Sequence, residues 1–427
     1  MKKILKTIIK DFHSKALPPF KPRRLNVPFD LHKIVTIIGP RRAGKTWYLF
    51  QLVANLEKKG IKREKILYLN FEDERLDFDG GYDQILEAYF ELYPDMKSDE
   101  LYIFFDEIQE IKNWEKYIRR LYDTVTHNIF LTGSNAKMLS KEIATSLRGR
   151  SLSFEIMPLS FSEFLFFKKI NYEDTHSTEN RRKIQNSFKE YLKWGGYPEL
   201  VDMESRFKAN VLQEYFNVML YRDLMERYEI RDASILKYLI KRLIASFTKE
   251  FSINKLYNEI KSRGIKIAKN SIYKLTDQIF SIYVVTYIGK YDPGVLKREM
   301  SNKKIYLHDN GIASAISYSF SEDRGKLLEN LVFSGIRNIT EDIFFIKNGY
   351  ECDFIIPKQG NHILIQVTDT LHQDNFDREI RGLEKAGKKF EKSQCILIAN
   401  EITVPAKIFP KSIRIKTAWE WLLKNDL

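Results

Sequence analysis

The chain has 427 residues, of which 44% are hydrophobic and 30% charged, a length and composition that call for two to four domains with real cores. Its 70 Lys and Arg outnumber 57 Asp and Glu, and the resulting net charge of +13 makes nucleic acid a candidate partner. No apolar run approaches the ~20 residues of a membrane span, and two cysteines with seven scattered histidines exclude a disulfide framework or structural zinc, which points to the cytoplasm.

Residues 1–31 read as a basic arm or helix with Lys21-Pro22-Arg23-Arg24, too short in apolar length for a secretory signal. From residue 32 to 156, buried strands at Ile34–Ile38, Ile66–Phe71, Leu101–Phe105, Ile129–Thr132 and Leu152–Ile156 alternate with helices at Lys45–Lys58, Gln84–Tyr93 and Asn113–Tyr122. That alternation predicts a parallel α/β sheet covered by helices. Residues 157–248 read as a helical lid, broken at Trp194-Gly195-Gly196-Tyr197-Pro198, where a packed turn is favoured over a hinge. The five phenylalanines around Phe161–Lys169 suit a core or subunit contact rather than a membrane anchor.

Residues 249–310 predict a winged helix. Ser252 caps a helix with Ile253, Leu256 and Ile260 on one face, and Asn270 caps a second with Ile272, Leu275 and Ile279 inward. Strands at Tyr283–Ile288 and Lys304–Leu307 flank a wing rich in Lys290, Lys297, Arg298, Lys303 and Lys304. Residues 320–427 predict a last α/β domain. It has helices at Asp323–Arg337 and Ala418–Lys424 and strands at Ile343–Lys347, Cys352–Ile356, Ile363–Val367 and Ile396–Ile398.

The strongest chemical signal is Gly39-Pro40-Arg41-Arg42-Ala43-Gly44-Lys45-Thr46, a loop that follows a buried strand and opens a helix. The glycines free backbone N–H groups to cradle phosphate oxygens, Lys45 suits the β- and γ-phosphates, and the Thr46 hydroxyl suits Mg2+. Asp106 and Glu107 end a strand expected beside the loop strand. Asp106 is the expected metal ligand and Glu107 the expected activator of water. At the next strand end, Ser134 and then Asn135 are the expected γ-phosphate sensors. Arg148 and Arg150 are candidates for an arginine acting across a subunit boundary.

These segments resemble the archaeal and bacterial AAA+ ATPases: the phosphate loop, Asp106-Glu107-Ile108-Gln109, Leu131-Thr132-Gly133-Ser134, Leu147-Arg148-Gly149-Arg150, Pro158–Phe164 and Gly195–Glu199. The resemblance implies a P-loop AAA+ core binding ATP with Mg2+. It also implies a homo-oligomer, a hexameric ring among the options, and a C-terminal module related to restriction-type nucleases.

Two further sites follow from residue types. On the second helix of the winged unit Tyr273, Lys274 and Gln278 face outward, and with Lys297 and Arg298 of the wing they form a DNA-reading layout. In the last domain Glu329, Asp353 and Gln366 have the order of a restriction-type metal site, but Thr368 stands where such a nuclease needs lysine. Lys347 and Lys358 are the substitutes to consider, and a structural or DNA-holding role is favoured over cleavage. Three functions thus compete: an ATP-driven machine on DNA, a nucleotide-gated protein-interaction switch, and an ATP-regulated nuclease.

Overall fold

The computed structural model describes residues 1–427 except 79–80, 134–146, 231, 317–322, 348–349, 391 and 425–427. The chain forms two compact units, Met1–Met157 and Pro158–Leu427.

In the first unit five strands, β1 (Ile34–Ile38), β2 (Ile66–Asn70), β3 (Tyr102–Asp106), β4 (Ile129–Gly133) and β5 (Ser151–Glu155), form an all-parallel sheet in the order β2-β3-β4-β1-β5. β1 and β4 are buried apolar runs without alternation, as strands covered on both faces require, whereas β5, expected to be buried, is a half-exposed edge strand. Val35 and Ile37 of β1 pack with Leu49, Leu52 and Leu56 of the Lys45–Lys58 helix. Ile34 and Ile38 belong to the opposite core, built with the Asp83–Leu92 and Trp114–Thr124 helices. The basic N-terminal segment is a helix, Lys2–Ser14, whose Leu5, Ile8 and Ile9 join that second core while Lys2 pairs with Glu87 and Glu91.

One expectation is corrected here. The acid strand β3 does not lie beside the loop strand β1, because β4 is hydrogen-bonded between them. The end of β4 therefore falls between the phosphate loop and the two acids.

The second unit begins with helices Phe161–Phe167, Thr178–Trp194, Ser205–Val218 and Ala233–Ala245, with a π-helical stretch at Met219–Glu226. A two-residue strand β6 (Glu250–Phe251) precedes helices Ile253–Ser262 and Lys269–Phe280. Then come β7 (Val285–Lys290), a short helix Val295–Met300 and β8 (Lys303–Leu307). Helix Arg324–Arg337 leads into β9 (Phe344–Lys347), β10 (Glu351–Lys358), β11 (Asn361–Leu371), helix Gln373–Lys389, β12 (Ser393–Ile402) and β13 (Ile413–Thr417). All eight strands make one mixed sheet, β13-β12-β11-β10-β9-β7-β8-β6. The sheet thus runs through the boundary expected near residues 310–320.

The second helix of the pair starts at Lys269 after Ala268, so Asn270 lies inside it rather than capping it. The Gln373–Lys389 helix and β13 were not expected from the pattern. The helix is mostly charged, and its buried stripe is thin: Phe376, Ile380, Leu383 and Ala386.

The double-glycine turn is packed. Gly195 has φ +73°, and a Cβ there would lie 1.8 Å from Asp309 Oδ1. Asp309 is buried and accepts the N–H groups of Gly196 and Gly311, each at 2.7 Å. Burial pushes its carboxyl up to about 7, with the two N–H groups working against that rise.

Candidate functional site

Gly39 follows β1 with φ +147°, and a Cβ there would meet the Ile156 carbonyl oxygen at 2.1 Å, so only glycine fits. Gly44, at φ +96°, caps the Lys45–Lys58 helix, so the expected phosphate loop runs directly into the helix N-terminus. Lys45 is buried and donates to the carbonyls of Gly39 and Pro40 at 3.2 and 3.1 Å. Its Nζ lies 3.8 Å from Glu107 Oε1. The loop lysine and the acid expected to activate water are therefore brought together, and Thr46 stands near enough to Asp106 to act on its carboxyl.

Asp106 is wholly buried at the end of β3. Burial and then Glu107 raise its pKa, while hydrogen bonds from Thr132, Thr46 and Tyr68 oppose the rise. The Tyr68 hydroxyl donates to Asp106 Oδ2 at 3.1 Å, and the Thr132 hydroxyl donates to Oδ1. The same Thr132 oxygen accepts the Glu107 backbone N–H at 2.8 Å. Glu107 takes φ +50°, a costly backbone for any residue with a Cβ, and Gln109 Nε2 donates to its Oε2 at 2.5 Å. Two carboxylates and a threonine are thus locked at adjacent strand ends, where a hard cation and its water would be held by oxygen ligands.

Thr132, Tyr68 and Gln109 have positions in the site that sequence reasoning did not assign. Thr132 stands two residues before Ser134, the expected sensor. Ser134 and Asn135 lie outside the described residues. Of the remaining loop residues, Arg41 reaches Glu72 at 3.3 Å, Ala43 is buried and Arg42 is exposed with φ +64°. Pro40 contributes its carbonyl to Lys45. An unforeseen arginine braces the loop: Arg23 donates to the carbonyls of Ala43 and Met157, each at 2.8 Å. Arg148 is exposed with φ +47°, whereas Arg150 Nε pairs with Asp123 at 3.0 Å.

In the second unit, Tyr273 and Lys274 are exposed on the Lys269–Phe280 helix and Gln278 is partly exposed. Lys297 is exposed between β7 and β8, while the Arg298 guanidinium sits 5.2 Å over the Phe344 ring. Lys304, expected among the wing cations, instead turns inward and is buried. The expected metal set is not assembled. Glu329 and Asp353 converge on Lys304, whereas Gln366 Nε2 is bonded to Glu379 at 3.0 Å. Lys347 pairs with Glu250 and Glu351, and Lys358 is exposed.

Among the described residues no helix is long and apolar enough to cross a membrane. A family model described as an AAA domain matches residues 31–165, and one described as a domain of unknown function (DUF8612) matches residues 185–323. The chain is 38% identical over 416 residues to the uncharacterized protein MJ1544 of Methanocaldococcus jannaschii, covering 94% of this chain and 90% of that one. It is 29% identical over 355 residues to an uncharacterized protein of Haemophilus influenzae, covering 82% and 86%. Among solved structures, Aeropyrum pernix Orc1 in complex with DNA matches at TM-score 0.29 and 10% identity, over 73% of this chain and 90% of that one. Drosophila ORC bound to GC-rich DNA and Cdc6 matches at TM-score 0.21 and 9% identity, over 76% and 94%. Likeness at those scores transfers neither partner nor function. The phosphate loop, the five-stranded parallel sheet and the near full-length relative agree, and the chain belongs to the archaeal and bacterial AAA+ ATPase family, with an additional C-terminal domain of unknown function.

Proposed function

We propose that this protein binds ATP with Mg2+ at the Gly39–Thr46 loop, hydrolyses the γ-phosphate with Glu107 as base, and engages DNA through residues 252–307. The observation that carries the nucleotide reading is that Glu107 stands beside the loop Lys45 while Thr132 ties it to the buried Asp106. Bound Mg2+ would neutralise phosphate charge, held through the Thr46 hydroxyl and Asp106. Lys45 would exchange two loop carbonyls for phosphate oxygens, a stronger, charge-assisted contact. Thr132 fixes the spacing of the two acids, and Glu107 takes the proton of water. Arg148, exposed on its turn, is the better candidate for completing a neighbour's site in an oligomer, since Arg150 is already paired with Asp123.

Lys45→Ala tests the core of this reading. Titration with a fluorescent ATP analogue should show affinity at least about tenfold weaker, the loss of one charge-assisted phosphate contact. Unchanged affinity would remove the loop from the nucleotide site.

The DNA reading rests on a helix pair and a hairpin that expose Lys269, Lys274 and Lys297. Binding to duplex DNA across a salt series should give a steep fall of log affinity with log salt. Neutralising Lys274 or Lys297 should each reduce that slope by about one. The exposed Val295, Leu296 and Met300 at the hairpin tip favour a second reading, a protein partner. A flat salt series with both lysines inert would decide for it.

A further inference from the structure

Restriction-type metal sites need carboxylates that converge on one empty point. Here Glu329 Oε1 and Asp353 Oδ1 do converge, but on Lys304 Nζ, at 2.7 and 3.0 Å. The three side chains are only 15%, 7% and 7% exposed, in the order Glu329, Asp353, Lys304. Glu329 Oε1 also accepts the Tyr306 hydroxyl at 2.6 Å, and Asp353 Oδ2 accepts the Val367 N–H at 3.0 Å. Three of the four carboxylate oxygens are therefore engaged by the chain itself.

The local backbone explains the geometry. The ladder between β9 and β10 shifts register between Cys352 and Ile355, and a shift of that kind re-aims the side chains between them, Asp353 and Phe354. Lys304 comes from β8, opposite Ile288 of β7 and Glu250 of β6, with Ile305 and Tyr306 in the core. Although burial opposes its charge, Asp353 and Glu329 push the ammonium above its ordinary range. Gln366, the third expected ligand, is turned by its Nε2 bond to Glu379 and keeps a buried Oε1 without a partner, and among the described residues no group of three or more His, Cys, Asp or Glu could hold a metal. A divalent ion would need oxygen contacts of about 2.0–2.6 Å at the point the ammonium fills. The residues present do not fit a metal.

We propose that Lys304 is the resident cation of this acid pair. The triad Glu329–Lys304–Asp353 replaces a metal centre with an internal ionic strut that ties hairpin strand β8 to helix Arg324–Arg337 and strand β10. This assignment is independent of the nucleotide and DNA readings.

Mn2+ counted by electron paramagnetic resonance on the nucleotide-free full chain tests it. Wild type and Asp353→Asn should bind equal numbers of ions, any ion at the phosphate loop cancelling in the comparison. Neither should cut DNA with Mn2+. One extra ion on wild type, or cleavage that Asp353→Asn abolishes, would overturn the proposal. Stability gives the second arm, because removing only the lysine strands two buried acids, while neutralising all three groups preserves packing without charge. Lys304→Ala should melt below wild type or fail to fold. The Lys304→Met, Glu329→Gln, Asp353→Asn triple variant should fold and melt closer to wild type. A Lys304→Ala protein as stable as wild type, or a triple variant no better than it, would refute the strut.

Discussion

Glu107→Gln should lower ATP turnover by about a hundredfold or more while leaving ATP binding nearly unchanged. The amide is almost isosteric, so the hydrogen bond from Gln109 to position 107 and the backbone bond to Thr132 can both persist. What disappears is the carboxylate that stands beside Lys45. Steady-state turnover and equilibrium ATP-analogue binding, measured on the same preparation, separate loss of the base from loss of the site. Parallel loss of both would assign Glu107 to binding, and full turnover would end its role as base.

Gly195→Ala should destabilise the second unit by about 3 kcal/mol or more, through a disfavoured backbone and the disruption of buried hydrogen bonds. Gly195 has φ +73° and ψ −160°, a region open in practice to glycine alone. Its new methyl would collide with Asp309, whose carboxylate cannot retreat without abandoning the N–H groups of Gly196 and Gly311. Gly264→Ala is the matched comparison, since Gly264 has φ +77° but nothing within 4 Å of the added carbon. The midpoint of chemical denaturation should fall far more for Gly195→Ala than for Gly264→Ala. Equal falls would mean that the backbone angle, not the Asp309 contact, governs the turn.

The phosphate loop and the Asp106-Glu107 pair were legible because their chemistry needs contiguous residues at a strand end. Thr132 was not, because its role depends on β4 inserting between β1 and β3, and strand order is invisible to local pattern. Lys304 looked like a wing cation for the same reason: in Lys303-Lys304-Ile305 only the sheet decides which lysine turns inward. The double glycine reads as a packed turn in the sequence, but the Asp309 that fills it lies 113 positions away, a union that local pattern does not reveal. The Gln373–Lys389 helix shows a different limit. Its apolar stripe has helical spacing, but charged residues dominate the composition and hide it.

The seam between β7 and β9 is short, Gly289 to Phe344 and Lys290 to Phe345, yet it welds the hairpin into the same sheet as the ionic strut. Whatever grips the hairpin pulls on backbone ladders and not on a slack tether. Severing the chain between β8 and β9 would liberate no tidy module, only two raw edges ready to pair with strangers. The hairpin and the buried triad behind it thus share one continuous hydrogen-bonded sheet.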